Sequence, residues 1–304
     1  MTARNEDGVL VKTPYKKQEF TELQLQEFMK CADPDTGPEY FLRNFFFIQH
    51  PVQGKIQYNP WEFQERLIKT YHNYRFSISM MPRQTGKSTS AAGYLLWFAM
   101  FKPDSTILVA AHKYAGAQEI MQRVRYSYEA CPDHIRAGAT SYNKGSIEFD
   151  NGSRIVAQTT TENTGRGMSI TLLYCDEFAF VRPTIAKEFW TSISPTLSTG
   201  GGAIITSTPN SDEDQFAFIW KGANKTEDEY GNTKELGVNG FKAYRAYWRE
   251  HPDRDEPWAE EQRNILGVER FRREMDCEFI INDETLIAPT TLIDMEGVEP
   301  LYQT

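Results

Sequence analysis

Gly86, Lys87 and Ser88 stand in a row behind Met81-Pro82-Arg83-Gln84-Thr85, and Thr89 follows them. They close the spacing GxxxxGK[ST], in which backbone N–H groups at a helix start face an anion and the helix dipole favours negative charge. Gly86 lets the backbone approach phosphate oxygens closely, Lys87 reaches the β- and γ-phosphates of a nucleoside triphosphate, and Ser88 suits a Mg²⁺ ligand. Gln84, Thr85 and Thr89 complete the cradle. The first glycine of the pattern is Met81 here. Taken alone, the motif could also be a chance Gly-Lys-Ser at a helix start.

A second group changes that balance. Leu172-Leu173-Tyr174-Cys175-Asp176-Glu177 is an apolar run ending in two carboxylates. Ligands of parallel sheets collect at the C-terminal ends of the strands, where this pair would lie. Asp176 suits a Mg²⁺ ligand, and Glu177 suits the base that orients and polarises an attacking water. An acidic pair ending a strand is common by itself. Following the phosphate loop in an α/β chain, it points to a site that hydrolyses ATP.

Three further features surround these two. The Gln64 amide both donates and accepts, so it could read an adenine edge; a polar helix surface would explain it equally. Thr206, Ser207 and Thr208 end another apolar run, where hydroxyls could sense the γ-phosphate but more often only cap. Arg166, between Gly165 and Gly167, sits on a turn mobile enough for an arginine finger. An ordinary surface arginine is its default explanation.

The elements that must position these residues read as α/β. Apolar runs at Phe76–Met81, Thr106–Ala111, Ile170–Cys175 and Ala203–Thr208 read as strands, with Thr106–Ala111 and Ile170–Cys175 buried ones, the first a continuous apolar run as expected where both sheet faces are covered. Helical patterns at 88–101 and 115–130 alternate with them. Asn151-Gly152 between 146–149 and 154–159 signals a hairpin. The expectation is a doubly wound, mainly parallel sheet with a small helical subdomain. Residues 1 to about 17 read as a loose arm and 21–30 as a short helix. The aromatic stretch 40–48 reads as a buried helix. Residues 211–240 read as a long exposed loop and 241–280 as a helical subdomain. The expected division is 1–58, 59–210 (the ATPase core) and 211–304.

Composition restricts the partners. With 33 Lys and Arg against 42 Asp and Glu, the net charge is −9, which argues against a passive nucleic-acid coat protein. The aromatic window 241–273 carries eight basic residues against seven acidic ones, a salt-bridged helical surface more than a basic patch. The four cysteines lie far apart with no CxxC spacing, so neither zinc nor a disulfide framework is expected. No apolar run approaches the ~20 residues of a membrane span. Met1 is followed by polar residues, so no secretory leader is expected.

The Pro82-Arg83-Gln84 lead-in to Gly86-Lys87-Ser88, the Asp176-Glu177 strand and the Ser207-Thr208-Pro209-Asn210 turn together resemble the large terminase subunit of tailed bacteriophages. The hairpin around Asn151-Gly152 and the Ala111-His112-Lys113 strand end are similar to its myovirus branch. The resemblance runs from about 59 to 210. It implies a P-loop NTPase of the RecA/ASCE kind that uses ATP and Mg²⁺ to drive double-stranded DNA into a procapsid. Its implied partners are the portal protein, the small terminase subunit and further copies of the chain in a ring, in the host cytoplasm. By the same resemblance Arg83 is a γ-phosphate sensor or cis arginine, and Gln64 contacts adenine. Thr206–Thr208 couple hydrolysis to motion, and Arg166 acts across subunits. Asn59 stands where related sequences carry another glutamine.

Complete large terminases continue into an RNase H-like nuclease. With the sequence ending at Thr304, the expectation is an ATPase domain without DNA cleavage, and Ile280–Pro289 resembles the junction between the two. The competing readings are a superfamily 2 helicase core and a degenerate nucleotide-binding scaffold. A helicase needs a second RecA-like domain, and no second set of alternating strands follows Asn210. Intact Lys87, Ser88, Asp176 and Glu177 speak against degeneration.

Overall fold

The structure is a computed structural model that describes residues 10–227 and 231–279. Thr21 caps the first helix, α1 (Glu22–Ala32), by accepting from the Gln24 N–H, and Gln24 returns the bond to the Thr21 backbone. Then come α2 (Gly37–Phe45), the antiparallel hairpin of β1 (Phe47–His50) and β2 (Gly54–Gln57), and α3 (Glu62–Asn73). The stretch expected as one helix over 40–48 therefore changes to a strand after Phe46. The chain continues through β3 (Phe76–Met80), α4 (Lys87–Phe101), β4 (Thr106–Ala111) and α5 (Tyr114–Ala130). It goes on through β5 (Ala139–Tyr142), β6 (Ser146–Phe149), β7 (Arg154–Thr159), β8 (Leu172–Asp176), α6 (Pro183–Leu197) and β9 (Gly202–Ser207). The last elements are α7 (Gln215–Asn224), β10 (Lys242–Arg245), α8 (Glu256–Leu266) and α9 (Val268–Glu274).

One eight-stranded sheet, in the order β10-β3-β9-β8-β4-β7-β6-β5, runs through the molecule. Its first six strands are parallel; beyond them β6 pairs antiparallel with β7, and β5 antiparallel with β6. The expected hairpin is the β6–β7 pair, with Gly152 at φ 83° in its turn. Residues of α4 are buried on every side, as befits a helix between the sheet and an outer layer of α2 and α3. Phe41, Leu42, Leu67, Leu95 and Trp97 fill that layer. The opposite face of the sheet is covered by α6 and α7 through Phe189, Ile193, Phe216 and Ile219.

Three expectations are corrected here. Residues 211–240 are not one exposed loop: Asp214 caps α7 by accepting from the Ala217 N–H at 2.7 Å, and Phe216, Ala217, Ile219, Trp220 and Ala223 are buried. Residues 241–280 are not wholly helical, because Lys242–Arg245 joins the main sheet beside β3. The arm is docked from residue 10 on: Lys12 Nζ donates to the carbonyls of Asp133 (2.6 Å) and Arg136 (2.9 Å), and the Ala139 N–H donates to the Lys12 carbonyl. The remainder of that arm and the junction expected at Ile280–Pro289 lie outside the described residues. A small helical subdomain does exist, packed around Trp248, Ala259, Phe271 and Met275.

Candidate active site

Register brings the motifs together. In the sheet β9 lies between β3 and β8, with Met80 beside Ser207 and Asp176 beside Thr206. The phosphate loop leaves β3, the two carboxylates end β8, and the hydroxyl-rich end of β9 sits between them. Residues far apart in sequence thus meet at one C-terminal sheet edge.

The loop is held open by its own chain. Met81 N–H donates to the Ser207 carbonyl at 3.2 Å, and Thr85 Oγ1 donates to the Pro82 carbonyl at 2.7 Å. Gly86 has φ 77°, and a Cβ there would lie 2.5 Å from Gln64 Nε2. Glycine is therefore required both by conformation and by the close approach of Gln64. Gln64 is buried: its amide N–H donates to the Thr85 carbonyl at 2.9 Å, and its carbonyl accepts from Trp61 N–H and Tyr58 OH. Gln64 lines the cavity as expected, yet most of its amide is spent on bracing the loop. That leaves one N–H for a base, not the donor–acceptor pair.

Lys87 is buried, with Nζ 2.7 Å from Glu177 Oε1. Burial alone would pull its amine down, but the Glu177 and Asp176 carboxylates outweigh it and hold the amine above its ordinary value. Glu177 itself has φ 50°, a left-handed conformation uncommon in non-glycine residues and often found at functional sites. Ser207 Oγ donates to its other oxygen at 3.4 Å.

Asp176 forms the floor. Tyr174 OH and Thr206 Oγ1 each donate to Oδ1 at 3.0 Å, and Ser88 Oγ lies 3.3 Å from Oδ2. Burial raises the Asp176 carboxyl above its usual range, and the Lys87 charge only partly opposes this. A cation would relieve that penalty. The 3.3 Å between the Ser88 hydroxyl and the carboxylate is close to the about 3 Å between neighbouring oxygens in an octahedral Mg²⁺ shell of ~2.1 Å bonds. The donor set therefore fits Mg²⁺.

A cavity of about 1380 Å³ opens above this floor. Gln64, Arg83, Gln84, Gly86, Lys87, Ser88, Thr89 and Glu177 line it, with the β1–β2 hairpin, Asn59, Trp61 and His251 as its outer walls. Thr85, Thr206, Ser207 and Thr208 are buried behind it. Arg83 is half exposed and faces the helical subdomain: Nε lies 2.6 Å from Glu274 Oε2, an ion pair without a well-aligned hydrogen bond. Arg166 is not in this cavity. It lies exposed in a separate depression of about 610 Å³ with Glu162, Lys187 and Glu188. Sequence reasoning missed Tyr174, Arg254 and Glu274. Tyr174 was findable, since residues two apart in a strand share a face and a buried phenol needs a partner.

A strand–loop–helix phosphate cradle facing an Asp-Glu strand end across a mainly parallel sheet defines a P-loop ATPase fold. Residues 78–292 match the family model described as "Terminase large subunit, T4likevirus-type, N-terminal", and the chain belongs to this family. The match begins later than 59 and extends well past 210, so the resemblance reaches beyond the stretch expected to carry it. Among solved structures, the chain is similar to the large terminase ATPase domain of Thermus phage P74-26. The two are 21% identical with a TM-score of 0.57, over 73% of this chain and 95% of that one. The large terminase of bacteriophage HK97 gives 17% identity and a TM-score of 0.61, over 78% of this chain and 53% of that one. The large terminase of the thermophilic bacteriophage D6E in complex with ADP gives 10% and 0.56, over 72% and 53%. The chain spans about half the length of the HK97 and D6E terminases it matches. Family model and fold thus agree on the N-terminal region of terminase large subunits, and nothing in these likenesses favours a helicase or a degenerate scaffold.

Proposed function

We propose that this chain hydrolyses ATP at the Lys87–Glu177 site and uses the cycle to drive double-stranded DNA into a procapsid. The observation that carries the reading is the meeting of Lys87 with Glu177 at 2.7 Å above a floor where Ser88 faces Asp176. An ammonium, a hydroxyl and two carboxylates converge on a backbone anion cradle, the set that phosphoryl transfer to water requires.

Lys87 exchanges its Glu177 partner for the β- and γ-phosphates when ATP enters. That exchange frees Glu177 to orient a water in line with the γ-phosphorus and to take its proton as the bond to ADP breaks. Ser88 and Asp176 would hold Mg²⁺, which neutralises charge on the phosphates when bound. The Gln84, Thr85 and Gly86 backbone cradles the phosphates, and Thr89 follows them on the first turn of α4. Arg83 offers a charge for the γ-phosphate once released from Glu274. Arg166, outside the cavity of its own chain, acts on a neighbouring copy in a ring. Thr206 touches Asp176 and Ser207 touches Glu177, so loss of the γ-phosphate is felt at the end of β9 and transmitted to the elements beyond it.

The portal protein, the small terminase subunit and further copies of the chain are the proposed partners, in the host cytoplasm. The test is ATP turnover of the assembled motor with DNA and portal. Lys87→Ala abolishes turnover under this reading. Mixing Arg166→Ala with Glu177→Gln subunits restores part of it, because each supplies what the other lacks. Full turnover by Lys87→Ala would end the assignment of the site, and absence of recovery in the mixture would end the role of Arg166 across subunits.

A further inference from the structure

Arg254 is a buried cation without a carboxylate. Its residue is 9% exposed, and among the described residues no acidic side chain lies within ion-pairing distance. Burial accordingly pulls its guanidinium below the ordinary value, and no opposing charge offsets this. Its plane lies over the Trp258 ring, 4.7 Å from the centroid. One nitrogen, Nη2, donates to the carbonyls of Arg83 at 3.1 Å and Gln84 at 2.9 Å; the other, Nη1, is buried with no partner. A fold rarely keeps such a group unless its two good bonds matter.

The two carbonyls it holds belong to the irregular part of the phosphate loop. Gln84 has φ 57°, a left-handed conformation that a non-glycine residue adopts only when its surroundings impose it. The loop has no glycine at residues 81–85 to absorb that turn. The same segment is gripped a second time from the helical subdomain, since Arg83 N–H donates to the Glu274 carbonyl at 3.1 Å. Arg254 comes from the segment before α8 and Glu274 from the end of α9, so both ends of the subdomain reach one loop.

We propose that Arg254 is a positioning residue of the ATPase: a strut that holds Arg83–Gln84 in the strained shape of the phosphate cradle. Nucleotide affinity thereby becomes conditional on the seating of the helical subdomain. Arg254 does not line the nucleotide cavity, so it acts through the loop backbone and not on the phosphates. The proposal rests on the assignment of residues 81–89 as the phosphate loop.

The test is a double-mutant cycle on the full chain, read by equilibrium binding of a fluorescent ribose-labelled ATP and by hydrogen exchange of the loop amides. Arg254→Ala is expected to weaken binding roughly tenfold or more, as expected for losing two charge-assisted bonds. Exchange at residues 84–87 should rise while β3 and β8 stay protected. Arg254→Lys should recover part of the affinity, since the charge remains but the planar fork is lost. The decisive variant is Gln84→Gly, because glycine takes the left-handed shape without strain. Gln84→Gly/Arg254→Ala should bind ATP more tightly than Arg254→Ala alone, a rescue that a mere packing role would not give. Should Arg254→Ala fail to fold, the rescue by Gln84→Gly is read on Arg254→Lys. Unchanged affinity and protection in Arg254→Ala, or no rescue by Gln84→Gly, overturns the strut. Loss of nucleotide binding in Lys87→Ala, measured alongside, shows whether the underlying site stands when the strut does not.

Discussion

The floor of the site and its outer wall are built on different principles. The floor consists of Asp176, Tyr174, Thr206 and Ser88, three of them on the neighbouring strands β8 and β9 and buried. Sheet register fixes the spacing of the three strand residues, and the Tyr174 and Thr206 hydroxyls both donate to Asp176. The wall consists of Arg83, Gln84 and the residues of the helical subdomain that hold them, Arg254 and Glu274. Its contacts are the ion pairs of Glu274 with Arg83 at 2.6 Å and Arg273 at 2.8 Å and a few bonds to backbone, made by elements with their own small core. A rigid floor keeps reacting groups in place, and a wall made of separable contacts lets nucleotide state alter how the subdomain sits. Under the proposed function, chemistry belongs to the first region and control to the second.

The largest expected effect breaks the floor. Lys87→Ala should lower ATP turnover by at least about a hundredfold, the scale of losing one charge aimed at a transition state, measured by phosphate release. Asp176→Asn should be equally inactive yet more stable at neutral pH. Its carboxyl is raised by burial, so the folded state favours the neutral form. That contribution to stability is complete below the ordinary carboxylate range and is lost as pH rises through the raised value. The substitution should therefore raise Tm at pH 7, with the gain vanishing in acid, as calorimetry at several pH values would show. No gain at pH 7 would mean that the floor carries no buried-charge penalty.

Thr206→Val is intermediate. It removes one donor from Asp176 and leaves Tyr174 and Ser88, so turnover should fall about fivefold to tenfold for one net hydrogen bond of roughly 1 kcal/mol. The smallest effect lies in the wall. Glu274→Gln removes the charge that pairs with Arg83 and Arg273 and should change ATP affinity only about twofold to threefold, since the Arg83 side of the pair is half exposed and a glutamine amide can still accept from Arg273. Its salt dependence should be weaker than that of the unmodified protein. A loss in Glu274→Gln as large as that in Lys87→Ala would erase the distinction between the regions.

Legibility followed the same division. The floor was readable because each part is local: a glycine-lysine-serine turn after a strand, two carboxylates ending another, hydroxyls ending a third. Only the lateral order that places β9 between β3 and β8 needed the structure. In α7 the local signals were present, an Asp214 cap followed by apolar Phe216, Ile219 and Trp220, but the polar stretch after it obscured them. α6 was missed although Ala186, Phe189, Ile193 and Leu197 are spaced as one helical face. In the wall Arg83 and Gln84 were readable from the loop motif and the resemblance, but the residues that hold them were not. Arg254 and Glu274 sit among nearly balanced charges, and nothing local marks which arginine turns inward to a backbone about 170 residues away. Arg166 shows the converse, since its turn is readable while its proposed partner lies on another copy.

The central claim is that Lys87 and Glu177 share one triphosphate, with Glu177 handling the water and Lys87 the phosphates. Glu177→Gln tests it most directly, by ATP affinity and turnover measured on the same preparation. With its charge gone, Glu177 no longer competes for Lys87, so ATP should bind at least as tightly as to the unmodified protein while turnover falls about a hundredfold or more. Turnover near that of the unmodified protein, or loss of binding together with turnover, would contradict it.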